Sequence, residues 1–369
     1  MTLAAEIEPG SSSDDPLHDR VQLALRGIRT DVPVRRGAGA GPSDDGHVVL
    51  GGANAALPHN PDSPYVVRDG KVYEERGGTV RALGLSLTPV RRPRFYDLTT
   101  ADGIPYHQIA LLHGKDVLAT TVVQTCIRYA EDQRCRFCTI EESLRAGSTV
   151  AAKTPAQLAE VAEAAVRLDG VTQMTMTTGT TTGPDRGARN LVRCVRAVLE
   201  KVPGLPIQVQ IEPPGDLSVI DDLHAGGATA IGIHVESLDE DARRRWMPGK
   251  GSVPMPEYEA AWDRAVAVFG RNRVSTYLLI GLGEDPDELV AGAARLIEKG
   301  VYPFVVPFRP LPGSLAKRDG ATAPSPELVH HVTAEVARLL RAAGMTGADQ
   351  EAGCAACGAC SALSATGAA

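Results

Sequence analysis

Between residues 117 and 343, short apolar runs alternate with amphipathic stretches of helical period. The runs are Val117–Gln124, Val171–Thr177, Leu205–Glu212, Thr229–Val235, Arg273–Ile280 and Val301–Phe308. Most are apolar on both faces, as strands of a helix-covered parallel sheet are. Helices are expected over 156–168, 185–202, 217–225, 285–299 and 326–343, with helical stretches inside 238–246 and 256–269. Thr154-Pro155 reads as an N-cap followed by a first-turn proline, and Gly170 as a stop. Such βα units predict an α/β fold, a partial (β/α)6 TIM-type barrel; an eight-stranded barrel or doubly wound sheet is the alternative. In barrels the chemistry gathers at the C-terminal strand ends.

Six of the seven cysteines stand in two tight triplets, a metal pattern rather than a disulfide pattern. Cys126, Cys135 and Cys138 form C-x8-C-x2-C directly after the first strand, with Phe137 before the last thiol. Three thiolates can hold three corners of a [4Fe–4S] cluster and leave one iron open. Zinc is the other reading, since C-x2-C is also a zinc half-site. Cys354, Cys357 and Cys360 form C-x2-C-x2-C near the C-terminus, a ferredoxin-like spacing suited to a second iron–sulfur cluster; zinc or a disordered thiol-rich tail are its alternatives. Cys194 sits alone on an amphipathic helix and reads as a buried apolar residue.

The stretch Cys135-x-Phe137-Cys138 resembles the ending of the cluster motif in the radical S-adenosylmethionine (SAM) superfamily. Eight residues separate the first two cysteines, where that superfamily usually has three. The resemblance implies a partial barrel, a [4Fe–4S] cluster and SAM on its open iron, with Phe137 beside the adenine. Thr178, Gly179 and Thr180 occupy the position of the family's Gly-Gly-Glu segment, which holds the SAM amine. Glu236, at the fourth strand's end, matches the acid that meets the ribose or amine. Arg245, with Arg244 as alternative, matches the base that meets the carboxylate. Leu279 takes the isoleucine position of the G-x-I-x-G-x-x-E element, which runs on to Gly281 and Glu284. The chain looks closest to the lipoyl- and biotin-synthase-like group; its pattern also resembles radical SAM proteins encoded beside nitrilases in bacterial gene clusters. The resemblance implies hydrogen abstraction from a small molecule, an electron donor such as flavodoxin or ferredoxin, and sulfur insertion or electron relay if a second cluster is present.

Other candidates come from position alone. Gln208, Gln210 and Glu212 alternate onto one face of the third strand, as pocket-lining residues or a solvated edge. Arg309, at the sixth strand's mouth, suits a substrate carboxylate or a loop ion pair. No acidic pair or phosphate loop points to a catalytic acid or base. The net charge of −7 argues against nucleic-acid binding. No run approaches a membrane span, and the N-terminus lacks a signal-peptide pattern, so a cytoplasmic location is expected. Two rival functions remain: an iron–sulfur electron-transfer scaffold and a zinc-dependent barrel hydrolase.

The expected organisation is an extension over 1–112, the barrel over 113–345 and a Cys-rich tail over 346–369. Within the extension, residues 1–20 read as frayed, 21–28 as a short helix and 35–62 as irregular. Asp69-Gly70 marks a hairpin, and a second extended pair is expected across 94–98 and 109–113. Residues after 362 read as disordered.

Overall fold

The structure is a computed structural model that describes residues 7–8, 15–30 and 46–367. Its main sheet has seven strands. Six run parallel in chain order: β1 (Val117–Thr121), β2 (Gln173–Thr177), β3 (Ile207–Ile211), β4 (Ala230–Ile233), β5 (Val274–Ile280) and β6 (Val301–Pro307). The seventh, Leu111–His113, pairs antiparallel with β1 and forms one edge, while β6 forms the other. Helices follow the strands: α1 (Pro155–Asp169), α2 (Ala188–Lys201), α3 (Ser218–Ala225), α4 (Glu240–Trp246), α5 (Met255–Phe269), α6 (Pro286–Lys299) and α7 (Pro326–Ala342).

Local chemistry sets these elements. Thr154 makes a full capping box with Gln157, and Gly170 ends α1 in the left-handed conformation. Asp239, Asp285 and Ser325 cap α4, α6 and α7 through their side chains. Trp262 of α5 is fully buried, and its indole N–H donates to the Ile233 carbonyl at 3.0 Å. That bond satisfies the indole and fixes α5 against the end of β4.

The N-terminal part differs from expectation. A helix begins at Pro16, capped by Asp15, and its Asp19 and Arg20 are buried. Residues 46–57, expected to be irregular, form two antiparallel strands, Gly46–Leu50 and Ala53–Leu57. Their turn is Gly51-Gly52, both at positive φ, so the glycines read as irregular are the hairpin's turn. Residues 31–45, in which the expected irregular stretch begins, lie outside the described residues, as do 1–6 and 9–14. The Asp69-Gly70 hairpin is present, joining Tyr65–Arg68 to Lys71–Arg76. The second expected pair is absent: Arg94–Asp97 is a 3-10 turn, and Leu111–His113 joins the barrel sheet instead.

The open side of the half-barrel is covered by that Gly46–Leu57 hairpin. At one edge Gly114 N–H donates to His47 Nδ1 and Lys115 N–H to Asn54 Oδ1. At the other, Arg309 Nη2 donates to the Ala56 carbonyl at 3.2 Å.

Beneath the hairpin, the C-terminal tail plugs the N-terminal end of the barrel. Gly353 N–H donates to Gln173 Oε1 at 2.8 Å, Cys354 N–H reaches Gln208 Oε1, and Ser361 Oγ donates to the Val305 carbonyl at 2.6 Å. Leu363 is fully buried, and Ser364 and Thr366 accept from Arg20 and Arg341, so residues 363–366 are packed rather than disordered.

Gly353 has φ of 103°, and a Cβ there would stand 2.1 Å from the Gln208 amide carbon. Gly353→Ala should destabilise the protein by about 1–3 kcal/mol or more and strip amide-exchange protection from residues 354–363. Gly320→Ala is the control: its φ is 76° but nothing lies within 4 Å, so it should leave the tail protected.

Candidate active site

The loop after β1 carries Cys126, Cys135 and Cys138, all partly buried and none in a disulfide. Its position is fixed by close backbone approach. Gly179, after β2, donates its N–H to the Val123 carbonyl at 2.8 Å, and Ile127 N–H donates to the Thr180 carbonyl at 3.0 Å. A Cβ on Gly179 would stand 2.0 Å from the Thr125 oxygen, so only glycine fits. The long insertion between Cys126 and Cys135 docks on the other side of the barrel mouth. Gly249 N–H donates to the Gln133 carbonyl at 2.8 Å, and Arg136 N–H to the Trp246 carbonyl at 2.7 Å. The eight-residue spacing is thus a structured arm.

Glu212 holds this arm. It accepts two hydrogen bonds from Arg128, at 2.6 and 3.1 Å, one from Arg186 at 3.0 Å and one from the Thr180 hydroxyl at 2.8 Å. Its oxygens are committed to the protein, so the candidate substrate residue stands here as a staple between the strand ends.

Glu236 follows β4 with φ of 68°, a conformation that costs a non-glycine residue of order 1 kcal/mol or more. Two backbone bonds to β5 impose it: Glu236 N–H to the Tyr277 carbonyl at 3.0 Å, and Leu279 N–H to the Glu236 carbonyl at 2.8 Å. The side chain accepts from Lys250 Nζ at 3.0 Å, both groups largely buried. Burial works against the Lys250 charge, but the Glu236 carboxylate outweighs it and holds the ammonium well above the ordinary lysine range. Arg245 is turned elsewhere: its guanidinium and the Trp246 indole both donate to the Leu282 carbonyl. The base beside Glu236 and Cys135 is therefore Lys250, fourteen residues along the chain from Glu236, which no spacing in the sequence singled out. Farther along the same loops, burial pushes the Glu284 carboxyl up to about 7, with Ser237 Oγ as its donor.

These residues fit an iron–sulfur cluster. Burial pushes the Cys138 thiol up to about 11 and Cys135 higher still, with Cys126 adding to both and Cys138 adding to Cys135. Thiols so placed do not ionise alone, whereas a bound metal core deprotonates its thiol ligands outright. Among the described residues no three His, Cys, Asp or Glu side chains are grouped to hold a single metal ion. A cubane cluster takes its thiolates on separate irons and needs no such grouping. Phe137 packs its ring against the main core beside the triplet. Thr178 and Gly179 lie on the loop stitched to it, and Leu279 is the nearly buried residue bonded to Glu236.

The second triplet lies across a cavity of about 620 Å³. Cys354, Cys357 and Cys360 line one wall, while Thr121 and Gln124, which lead into the first triplet's loop, and Thr177, at the neighbouring strand's end, line another. Gln210 Nε2 donates to the Cys354 sulfur at 3.1 Å, and the Tyr277 hydroxyl bonds the same sulfur. The Tyr277 ring stacks on His234, with centroids 4.3 Å apart. Lys153 also lines the cavity, held by the Thr121 carbonyl and Gln124 Oε1, both neutral; burial draws its pKa down to about 7. Cys194 is buried in α2, away from this cavity. Among the described residues no helix is long and apolar enough to cross a membrane.

Comparison with known proteins bears on this geometry. Residues 132–297 match the model of the radical SAM superfamily. A bacteriochlorophyllide c C-7(1)-hydroxylase from Chlorobaculum limnaeum is 25% identical over 58% of this chain and 58% of its own length. A mitochondrial lipoyl synthase from Leishmania braziliensis is 28% identical over 42% of this chain and 40% of its own length. The chain thus spans about half the length of the curated relatives it matches. Among solved structures, methylornithine synthase superposes with a TM-score of 0.49 at 16% identity, over 68% of this chain and 72% of that one. The FeFe-hydrogenase maturase HydG from Carboxydothermus hydrogenoformans gives 0.46 at 20% identity, over 62% and 52%.

Removing one partner of the Lys250–Glu236 pair leaves a buried charge uncompensated. Lys250→Met should cost about 3–5 kcal/mol, read from the urea midpoint, and Lys250→Met with Glu236→Leu should recover most of it. Losses of Lys250→Met and Glu236→Leu that simply add in the double variant would show that the two groups do not interact.

Proposed function

We propose that the chain, whose residues 132–297 match the radical SAM superfamily model, is a radical SAM enzyme with two iron–sulfur clusters placed about one substrate cavity. Cys126, Cys135 and Cys138 would hold the [4Fe–4S] cluster that binds SAM. Cys354, Cys357 and Cys360 would hold the second. The carrying observation is the shared cavity: its walls include the tail thiols and the strand ends beneath the first triplet. When bound, the first cluster supplies reductive cleavage of SAM to methionine and a 5′-deoxyadenosyl radical that takes hydrogen from substrate.

The protein's own part is positioning and exclusion of water. Phe137 offers an apolar face to the adenine, and the Thr178–Thr180 backbone offers carbonyls to the amine. Glu236 and Lys250 set opposite charges at the end of β4, where the zwitterionic part of SAM has a use for both. In this reading Lys250 takes the place assigned to Arg245, whose donors are directed at the Leu282 carbonyl. The substrate is a small molecule in the cavity, with Gln210 and Lys153 as its polar contacts. Arg309 and Glu212 bond protein partners and serve as supports. A one-electron donor such as flavodoxin or ferredoxin would act as partner, in the cytoplasm. The names of the two curated relatives, a hydroxylase and a lipoyl synthase, support modification of an unactivated C–H bond.

The test uses anaerobically reconstituted protein with SAM and dithionite. Roughly eight irons per chain are expected, with release of 5′-deoxyadenosine. Cys135→Ala should abolish release, whereas Cys357→Ala should keep it and lower iron to roughly four. Iron without nucleoside would instead indicate an electron-transfer protein, and zinc without iron a hydrolase. Iron of roughly four per chain that Cys357→Ala leaves unchanged would remove the second cluster from the account.

A further inference from the structure

Arg20 belongs to the N-terminal helix, far in sequence from either triplet, yet its side chain ends at the tail. It is 5% exposed. Its Nη2 donates to the Ala359 carbonyl at 2.8 Å, between Cys357 and Cys360, and to the Asn54 carbonyl at 3.3 Å; its Nε donates to Ser364 Oγ at 3.4 Å. Every one of these acceptors is neutral. Its Nη1 is buried and has no hydrogen-bond partner, and no carboxylate among the described residues pairs with it. A second guanidinium, Arg309, lies close enough to repel it, while Cys360 and Cys357 are the neighbours whose negative charge would favour it.

A buried guanidinium bonded to neutral acceptors is an arrangement a fold avoids, because an uncompensated buried cation costs several kcal/mol. The neighbours that can become negative are thiols, and they do so when they bind metal. Three thiolates on an iron–sulfur core leave the whole group anionic, and a reduced core more so. The hairpin joins in holding this place: Asn54 Nδ2 donates to the Cys357 carbonyl at 3.1 Å, and Ala56 N–H to the Ala359 carbonyl at 3.0 Å.

We propose that Arg20 is part of the second cluster's site and raises its reduction potential, so that the N-terminal extension supplies the charge that stabilises the reduced tail cluster. Reduction adds one negative charge to the cluster, and a fixed cation close by in a poorly screened interior favours the more negative state. Net charge around a cluster is one of the levers that set its potential. The proposal rests on the reading that Cys354, Cys357 and Cys360 hold a cluster.

The experiment isolates that cluster in the full chain by changing Cys126, Cys135 and Cys138 to Ala. Iron is counted, and the midpoint potential is taken by mediated redox titration followed by electron paramagnetic resonance. Arg20→Met should move the midpoint to lower potential, and Arg20→Lys, which keeps the charge, should stay near the parent. An unchanged midpoint in Arg20→Met with iron retained overturns the proposal. So does an equal fall in Arg20→Lys and Arg20→Met, since packing rather than charge would then be responsible. If Arg20→Met takes up no iron, uptake by Arg20→Lys supports the charge role, and failure of both overturns it. A parent without tail iron overturns the second-cluster reading and the Arg20 proposal with it.

Discussion

Gln208 and Gln210 lie on the inner face of β3, buried in a barrel that is otherwise mostly apolar. A buried amide without partners costs about 1–3 kcal/mol per group, so something must meet them. The tail does. Gln208 bonds Gln210, Ser275, Gln350 and the Cys354 N–H, and Gln210 donates to the Cys354 sulfur. This polar patch brings the tail into the barrel and sets where Cys354 stands. Gly353 allows the approach, and the hairpin seals it from outside. The cavity, its thiol wall and the buried guanidinium of Arg20 all follow from that docking.

At the opposite end of the barrel, hydrogen bonds between neighbouring loops play the equivalent part. Gly179 lets the β2 loop meet the cysteine loop, Glu212 ties both to Arg128 and Arg186, and the strained backbone at Glu236 is held by β5. The two ends differ in charge. The first triplet has a lysine and a glutamate paired beside it, nearly neutral together, whereas the tail triplet has the buried Arg20 guanidinium, whose hydrogen bonds go to neutral acceptors. Sites so different electrostatically are suited to different redox tasks.

Much of the barrel was legible because its signals are local. Apolar runs, the Thr154-Pro155 cap and the stop at Gly170 each act within a few residues, and the six strands lie where those signals put them. The extension was misread where the same residues carry two meanings. Gly51-Gly52 looked like irregular chain and is a hairpin turn; Asp19 and Arg20 looked like a solvated terminus and are buried. The cysteine triplets were plain from spacing. Lys250 beside Glu236, Arg20 beside the tail and the place of the tail itself were not, because each depends on contacts between distant segments that no periodicity encodes. Arg245 had the right residue type at a helix end, but the Leu282 carbonyl claims it.

The central claim is that two clusters face each other across one chamber. The most direct measurement is the electron paramagnetic resonance spectrum of the dithionite-reduced, fully reconstituted chain, set beside spectra of the two variants that each lack one triplet. Two reduced clusters on opposite sides of one cavity should couple, so the full protein's spectrum should be broadened or split and should differ from the sum of the variants. A spectrum equal to that sum, or identical to that of the variant lacking the tail cysteines, would contradict the account.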